Sequence, residues 1–425
     1  MKIITYKDSG YERKFAALRR LPKPDPSVHD AVAEIIADVR RRGDRAVVEI
    51  GNRFSPVPQR VAGLKVTDRG QPPAPAVRRA LRFALKNVTR FSQQRRPKAW
   101  RSRNSEGATV GETYHPLHRV GIYVPGGTAP LLSTAIMTVG VARVAGVPEI
   151  VVCSPPPIHP HLLYAIRMAG ATEVVAAGGA QAIAALACGT KTIGPVDKIF
   201  GPGNAYVVEA KRQLFGEVAI DLLPGPSEVA VVADRTCTPA FVAADLLAQA
   251  EHGPGSQIFF LTHEAKVFTA VRAELDRQLA GLGRQTYLEA TLKNGCTLVL
   301  TRSIEESLAG AELIAPEHLS LACAEARTLA NQIRNSGCVF VGSLSPVAAG
   351  DYVAGPSHTL PTGGAARMFA GLTVDQFMKR TSLVEYDRAS LERAAPFIAA
   401  LAGEEKLDAH AASVAARLKG GKERL

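Results

Sequence analysis

The sequence predicts an α/β protein: two Rossmann-like parallel-sheet lobes, preceded by a helical N-terminal segment and followed by a helical C-terminal arm. Three observations point there. Two successive series of short, continuously apolar runs alternate with helical stretches; amphipathic helical spacing fills much of the first hundred residues; and an Ala-, Leu- and charge-rich tail resumes that spacing from Gly371. On this reading residues 1–110 form the helical segment, 111–235 the first lobe, 236–370 the second and 371–425 the arm.

The N-terminal segment places apolar residues three and four apart, opposite charged faces, over 29–54 and 75–96. From Arg119 the period changes. The runs VGIYV (120–124), EIVVC (149–153), EVVAA (173–177) and KIF (198–200) have strand length and are separated by helical stretches at 131–146, 160–170 and 181–189. A second series comprises VAVVA (229–233), QIFFLT (257–262), TLVLT (297–301), LSLAC (319–323) and CVFVG (338–342). Helices are expected between them at 239–251, 265–281, 304–311 and 324–335. Strands that are apolar throughout belong to parallel sheets covered on both faces, and two such sheets imply two lobes with a cleft between them.

At 425 residues with 46% hydrophobic content, the chain can build more than one core. No signal-peptide core follows the first lysine and no stretch approaches 18 apolar residues, so a cytoplasmic protein without membrane partners is expected. The six cysteines are dispersed, none in a C-x-x-C pair, as for reduced thiols; a metal would then take His, Asp, Glu or amide ligands. The net charge of +12 raises nucleic acid as a partner. Clustering is modest, densest at 40–45 and 95–103, and the only Trp, Trp100, has no aromatic ladder beside it. A solvated basic face is the favoured reading.

Ligands of such sheets sit beyond the carboxyl ends of strands, so the glycine-rich loops draw attention: VPGGTAP after 120–124, AGGAQA after 173–177, GPGNAY after 198–200, LLPGPSE before 229, and SPVAAGDYVAGPSHTLPTGG after 338–342. Alone they are a weak cofactor signal. Gly201-x-Gly203-x-x-Tyr206 lacks the third glycine of the dinucleotide fingerprint.

Four groups of residues could carry chemistry. Gln249 and His252 lie three apart at the end of a helix and could grip one ion, although a histidine there also serves as a cap. Glu317 and His318 precede an apolar strand, as an acid/base pair or as a strand-edge ion pair. Asp351 and His358 occupy the long glycine- and proline-rich loop, a functional setting more often than not. Glu405 and His410 lie in the arm, where a solvated helix face is the plain alternative.

The stretches IFGPGNAYV, GPSE, QAEHGP, APEHL and GDY…GPSHTLPTGG resemble the signature segments of histidinol dehydrogenases, in the family's order and spacing, and the likeness runs from VRRRGDRAV to DAHAASVAAR. The resemblance implies oxidation of L-histidinol through L-histidinal to L-histidine with two NAD+, and one zinc per subunit held by Gln249, His252, Asp351 and His410. It implies a homodimer whose C-terminal arm brings His410 and Glu405 to the partner's site. It places NAD along Tyr123, Gln181 and Asn204, and puts substrate against Ser227, His318, His358 and Glu405 as well as the metal ligands. In this scheme His318 removes the hydroxyl proton and Glu317 activates the water that hydrates the aldehyde.

The sequence departs from the family pattern at Val347, where a glutamate is common, at Ser357, where GPNH becomes GPSH, and at Lys406, where EGL becomes EKL. The lost carboxylate at 347 leaves room for a dehydrogenase of the same fold acting on another alcohol. A zinc hydrolase built on Glu317 would leave the three cofactor positions unexplained.

Overall fold

In a computed structural model the described residues are 1–20, 26–126, 130–253 and 255–420. Gly127, Thr128 and Ala129 of the VPGGTAP loop and Pro254 of QAEHGP therefore lie outside them. The strands are β1 (Lys2–Thr5), β2 (Trp100–Arg103), β3 (Thr109–Pro116), β4 (Arg119–Tyr123), β5 (Glu149–Ser154), β6 (Glu173–Ala176), β7 (Lys198–Phe200), β8 (Ala219–Ile220), β9 (Glu228–Ala233), β10 (Gln257–Thr262), β11 (Cys296–Leu300), β12 (His318–Ala322), β13 (Cys338–Val341) and β14 (Met378–Glu385). The chain forms two compact units: Met1–Arg95 with Leu117–Phe377, and Arg96–Pro116 with Met378–Leu425.

The larger unit holds both parallel sheets. The first has the order β6-β5-β4-β7-β8, so the chain runs outward in one direction from β4 and then returns to its other side. That reversal opens a crevice between the carboxyl ends of β4 and β7. Val32, Ile36 and Val39 of the helix Pro26–Arg42, spaced four and three apart, pack with Ile183 and Leu186 of the helix Gly179–Cys188 in the core of this sheet.

The second sheet, β1-β11-β10-β9-β12-β13, repeats the same order with β1 added at an edge. Alternate residues of β9 enter different cores: Val229 and Val231 join Leu246, Phe260 and Leu298, while Ala230 and Val232 join Tyr11, Phe15 and Leu319. Both faces are covered, which is why these strands read as unbroken apolar runs.

Several expectations are corrected. Lys2–Thr5 is a strand, paired in parallel with β11 from Lys2↔Thr297 to Thr5↔Leu300. Four residues ending in Ile-Ile-Thr are too few for a stable helix, and the sheet edge buries Ile4 completely. The helix expected over 29–54 breaks at Gly43, whose φ of 56° separates Pro26–Arg42 from Asp44–Asn52. Because β9 pairs with β10 and β12, the second lobe begins at Glu228 rather than after 235. An additional helix occupies Gln285–Gly295, and the one expected over 324–335 is limited to Ala326–Ala330.

The smaller unit is an antiparallel sheet, β14-β3-β2, with the helices Arg388–Glu404 and Asp408–Lys419. After a short 3-10 helix at Val374–Phe377, the tail is thus α-helical only from Arg388. Its first part pairs with β3 over eight residues, and the helix starts where Asp387 and Ser390 form a capping box. Among the described residues, no helix is long and apolar enough to cross a membrane.

Candidate active site

The glycine loops of the first sheet meet at its crevice. The Tyr123 hydroxyl, at the end of β4, accepts a hydrogen bond from Gly179 N at 3.1 Å, tying β4 to the loop that opens the helix carrying Gln181. Burial pushes the Tyr123 phenol up to about 12. Gly201 has a φ of 104° and lies so close to the Tyr123 backbone that a β-carbon would come within 2.1 Å of its carbonyl oxygen. Asn204 caps the helix Ala205–Leu214, its side chain accepting from Tyr206 N and Val207 N at 3.1 Å each. Tyr123 at the end of β4, Gln181 in the first turn of its helix and Asn204 at a helix N-cap thus stand at the carboxyl side of one sheet, where a nucleotide would be expected.

In the second sheet the site residues gather at the opposite ends of the strands. Glu228 begins β9, His318 begins β12, and His252 lies between the helix Pro239–Ala250 and β10. Glu317 and His318 therefore stand at the mouth of an apolar strand, where their position in the sequence put them. Glu317 and His318 are 5% and 2% exposed.

One residue holds both members of this pair through its main chain. Glu228 N donates to Glu317 Oε2 at 2.8 Å, and His318 Nδ1 lies 3.1 Å from Glu228 O. A carbonyl oxygen only accepts, so Nδ1 carries the proton and Nε2 of the neutral ring keeps its lone pair. That nitrogen lies 3.6 Å from Asp351 Oδ1. Burial holds the His318 imidazolium down, with Asp351 opposing and the His252 and His358 charges assisting. Burial likewise raises Glu317 well above the usual carboxylate range, aided by Glu228 and Asp351, while Glu228 N–H and the Ser227 hydroxyl act the other way.

His358 has both ring nitrogens engaged. Nδ1 lies 3.0 Å from Asp351 O and Nε2 3.0 Å from Thr134 Oγ1, on the helix Leu132–Ala145 of the first lobe. The bond to Asp351 O makes Nδ1 the donor, leaving Nε2 to accept from the threonine. His358 therefore links the short helix Val347–Tyr352, which carries Asp351 within the stretch expected to be a loop, to the helix Leu132–Ala145.

Gln249 is 1% exposed, and neither atom of its side-chain amide has a hydrogen-bond partner. A buried, orphaned amide is costly, and a bound ligand at its oxygen would remove much of that cost. Asp245, one turn earlier on the same helix, is pushed up to about 6, first by burial and then by Asp351. Among the described residues, no group of three or more His, Cys, Asp and Glu side chains could hold a metal by itself. Gln249, His252 and Asp351 supply an amide, one imidazole and one carboxylate. This donor set suits a borderline divalent metal once a further ligand is added.

Glu405 and His410 belong to the smaller unit, in the turn after the helix Arg388–Glu404 and in the helix Asp408–Lys419, and both are exposed. Sequence reasoning missed the carboxylate of Glu228, together with Thr134 and Asp245. The available signal for Glu228 was an acidic residue opening a fully apolar strand; Thr134 and Asp245 had none.

A family profile described as histidinol dehydrogenase matches residues 18–418. A histidinol dehydrogenase of Geobacter metallireducens is 43% identical over 430 residues, 99% of each chain, and that of Rhizobium meliloti is 42% identical over 429 residues, again 99% of each. A crystal structure of histidinol dehydrogenase from Elizabethkingia anophelis superposes with a TM-score of 0.91 at 33% identity, covering 99% of this chain and 98% of that one.

Proposed function

The chain belongs to the histidinol dehydrogenase family, and from that membership we propose that it carries out a zinc-dependent, four-electron oxidation of L-histidinol through L-histidinal to L-histidine, reducing two NAD+, as a cytoplasmic homodimer. The observation that carries the reading is the pair Glu317 and His318, buried side by side and held by the backbone N–H and C=O of Glu228, with His318 Nε2 3.6 Å from Asp351 Oδ1.

Gln249, His252 and Asp351 would hold zinc together with the partner's His410, and the orphaned Gln249 amide supports that fit. Bound zinc would supply a fixed anchor for the substrate's nitrogen atoms, and bound NAD+ would supply the hydride acceptor. Tyr123, Gln181 and Asn204 would seat the nucleotide in the crevice of the first sheet, where Gly201 lets its own loop lie against the Tyr123 backbone. His318 takes the hydroxyl proton at Nε2, with Nδ1–H steadied by the Glu228 carbonyl.

The aldehyde is not an end point, because a second oxidation requires a water oxygen on its carbon. Glu317, once ionised, removes a proton from that water as it adds, while the His318 imidazolium formed in the first oxidation returns its proton to the carbonyl oxygen, giving the hydrate and a neutral imidazole; His318 then accepts a hydrate proton as the second hydride leaves to a second NAD+. Ser227 and the partner's Glu405 would contact substrate, and His358 would do so while fixing the helix that carries Asp351. Keeping the intermediate anchored avoids its release between the two oxidations.

The deciding experiment incubates purified protein with L-histidinol, NAD+ and zinc and counts NADH formed per alcohol consumed. Two equivalents with histidine as product are expected. One equivalent, or turnover only of a different alcohol, would overturn the assignment.

A further inference from the structure

Beyond the acid/base pair lies a second buried charge arrangement that the reaction does not consume. The Glu228 side chain is 2% exposed. Arg20 grips it with two parallel bonds, Nη1 to Oε1 at 2.6 Å and Nη2 to Oε2 at 2.9 Å, and Gly363 N donates to Oε1 at 2.8 Å. Arg20 Nη2 also donates to Ile314 O at 3.3 Å, and its guanidinium lies 4.8 Å from the centre of the Phe259 ring. Next to this, Thr362 Oγ1 accepts from Gly225 N, so the TLPTGG loop is fastened to the GPSE turn at two points.

Burying a carboxylate is expensive, and a buried ion pair often stabilises a fold no better than apolar side chains of similar volume. Its position is therefore informative. The clamped residue is the one whose N–H holds Glu317 and whose carbonyl holds His318. Any rotation of the main chain at Glu228 would move both acid/base groups together, and three segments distant in sequence, at Arg20, Glu228 and Gly363, converge to prevent it.

We propose that the Arg20–Glu228 pair is a positioning device that fixes the backbone at Glu228 and thereby sets the ring orientation and tautomer of His318 and the placement of the Glu317 carboxyl. Neither side chain touches the reacting atoms; both act through the peptide groups of β9. The inference rests on the roles proposed above for Glu317 and His318.

The test compares wild type with Glu228→Gln and with the apolar double replacement Arg20→Leu with Glu228→Leu. Thermal stability, steady-state constants for histidinol and NAD+, and 15N NMR of the His318 ring, assigned with His318→Gln, are measured on each. The double variant is expected to melt near wild type, keep its KM for NAD+ within twofold and lose at least tenfold in kcat. Its His318 signal should shift from one Nδ1–H tautomer to a mixture. Glu228→Gln, which keeps the shape and some hydrogen bonds, should lie between the two and covers the case in which the double variant does not fold. A folded variant with wild-type kcat and an unchanged tautomer would reduce the pair to a packing element and overturn the proposal. The ring signal does not depend on turnover, so inactivity of the wild type toward histidinol would count against the functional reading alone.

Discussion

His318 Nε2 stands 3.6 Å from Asp351 Oδ1, near enough to feel its charge and too far for a hydrogen bond. The nitrogen's lone pair is thus unspent, and the carboxylate remains available to another partner.

Replacing His318 with glutamine should remove the proton acceptor while sparing a zinc site that does not use it. The expected loss in kcat for histidinol is about 10²- to 10⁴-fold, with zinc per chain unchanged by elemental analysis. Zinc loss in this variant would mean that His318 is a ligand instead of a base.

The Glu317→Gln variant should separate the two oxidations. Burial raises the Glu317 carboxyl, which must lose its proton to activate water, so histidinal oxidation by wild type should climb with pH above the ordinary carboxylate range. In the variant that limb should vanish and NADH formation should fall toward one equivalent per histidinol, with aldehyde trapped as a hydrazone. Two equivalents formed at the wild-type rate would exclude Glu317 from hydration.

Gln249→Ala and His410→Ala should each lose zinc and activity when pure. If His410 serves its neighbour, mixing the two variants under subunit exchange creates dimers with one complete site, restoring about a quarter of wild-type activity at equal ratio. No recovery despite verified exchange would place both ligands in one chain.

Asp245 provides a pH test of stability. Its folded-state value of about 6 lies above the unfolded reference of 3.8, so the folded chain binds the proton more tightly and stability falls as pH rises from about 4 to 6. In metal-stripped protein, Asp245→Asn should avoid this loss. Its gain should be about 1–2 kcal/mol at pH 8, after discounting for partial solvent screening, and should vanish near pH 3. A pH-independent difference in melting temperature would show that Asp245 ionisation is not the cause.

The sheets were readable because their strands are buried on both faces and so carry long apolar runs; VGIYV and QIFFLT announce themselves without partners. Lys2–Thr5 and Met378–Glu385 were not, since each becomes a strand only through pairing with residues far away in the chain. The pairs Glu317–His318 and Gln249–His252 could be picked out from local spacing. What spacing could not convey was the role of Glu228, whose importance arises from both peptide groups and the side chain acting at once. The fastening of His358 to Thr134 joins two lobes and likewise leaves no local trace.

The N-terminal strand has a consequence for biosynthesis. Its neighbour in the sheet, Cys296–Leu300, leaves the ribosome long after Lys2–Thr5 has emerged. Through that interval the strand waits without its mate, so the lobe bearing His318 can complete this edge only late in synthesis.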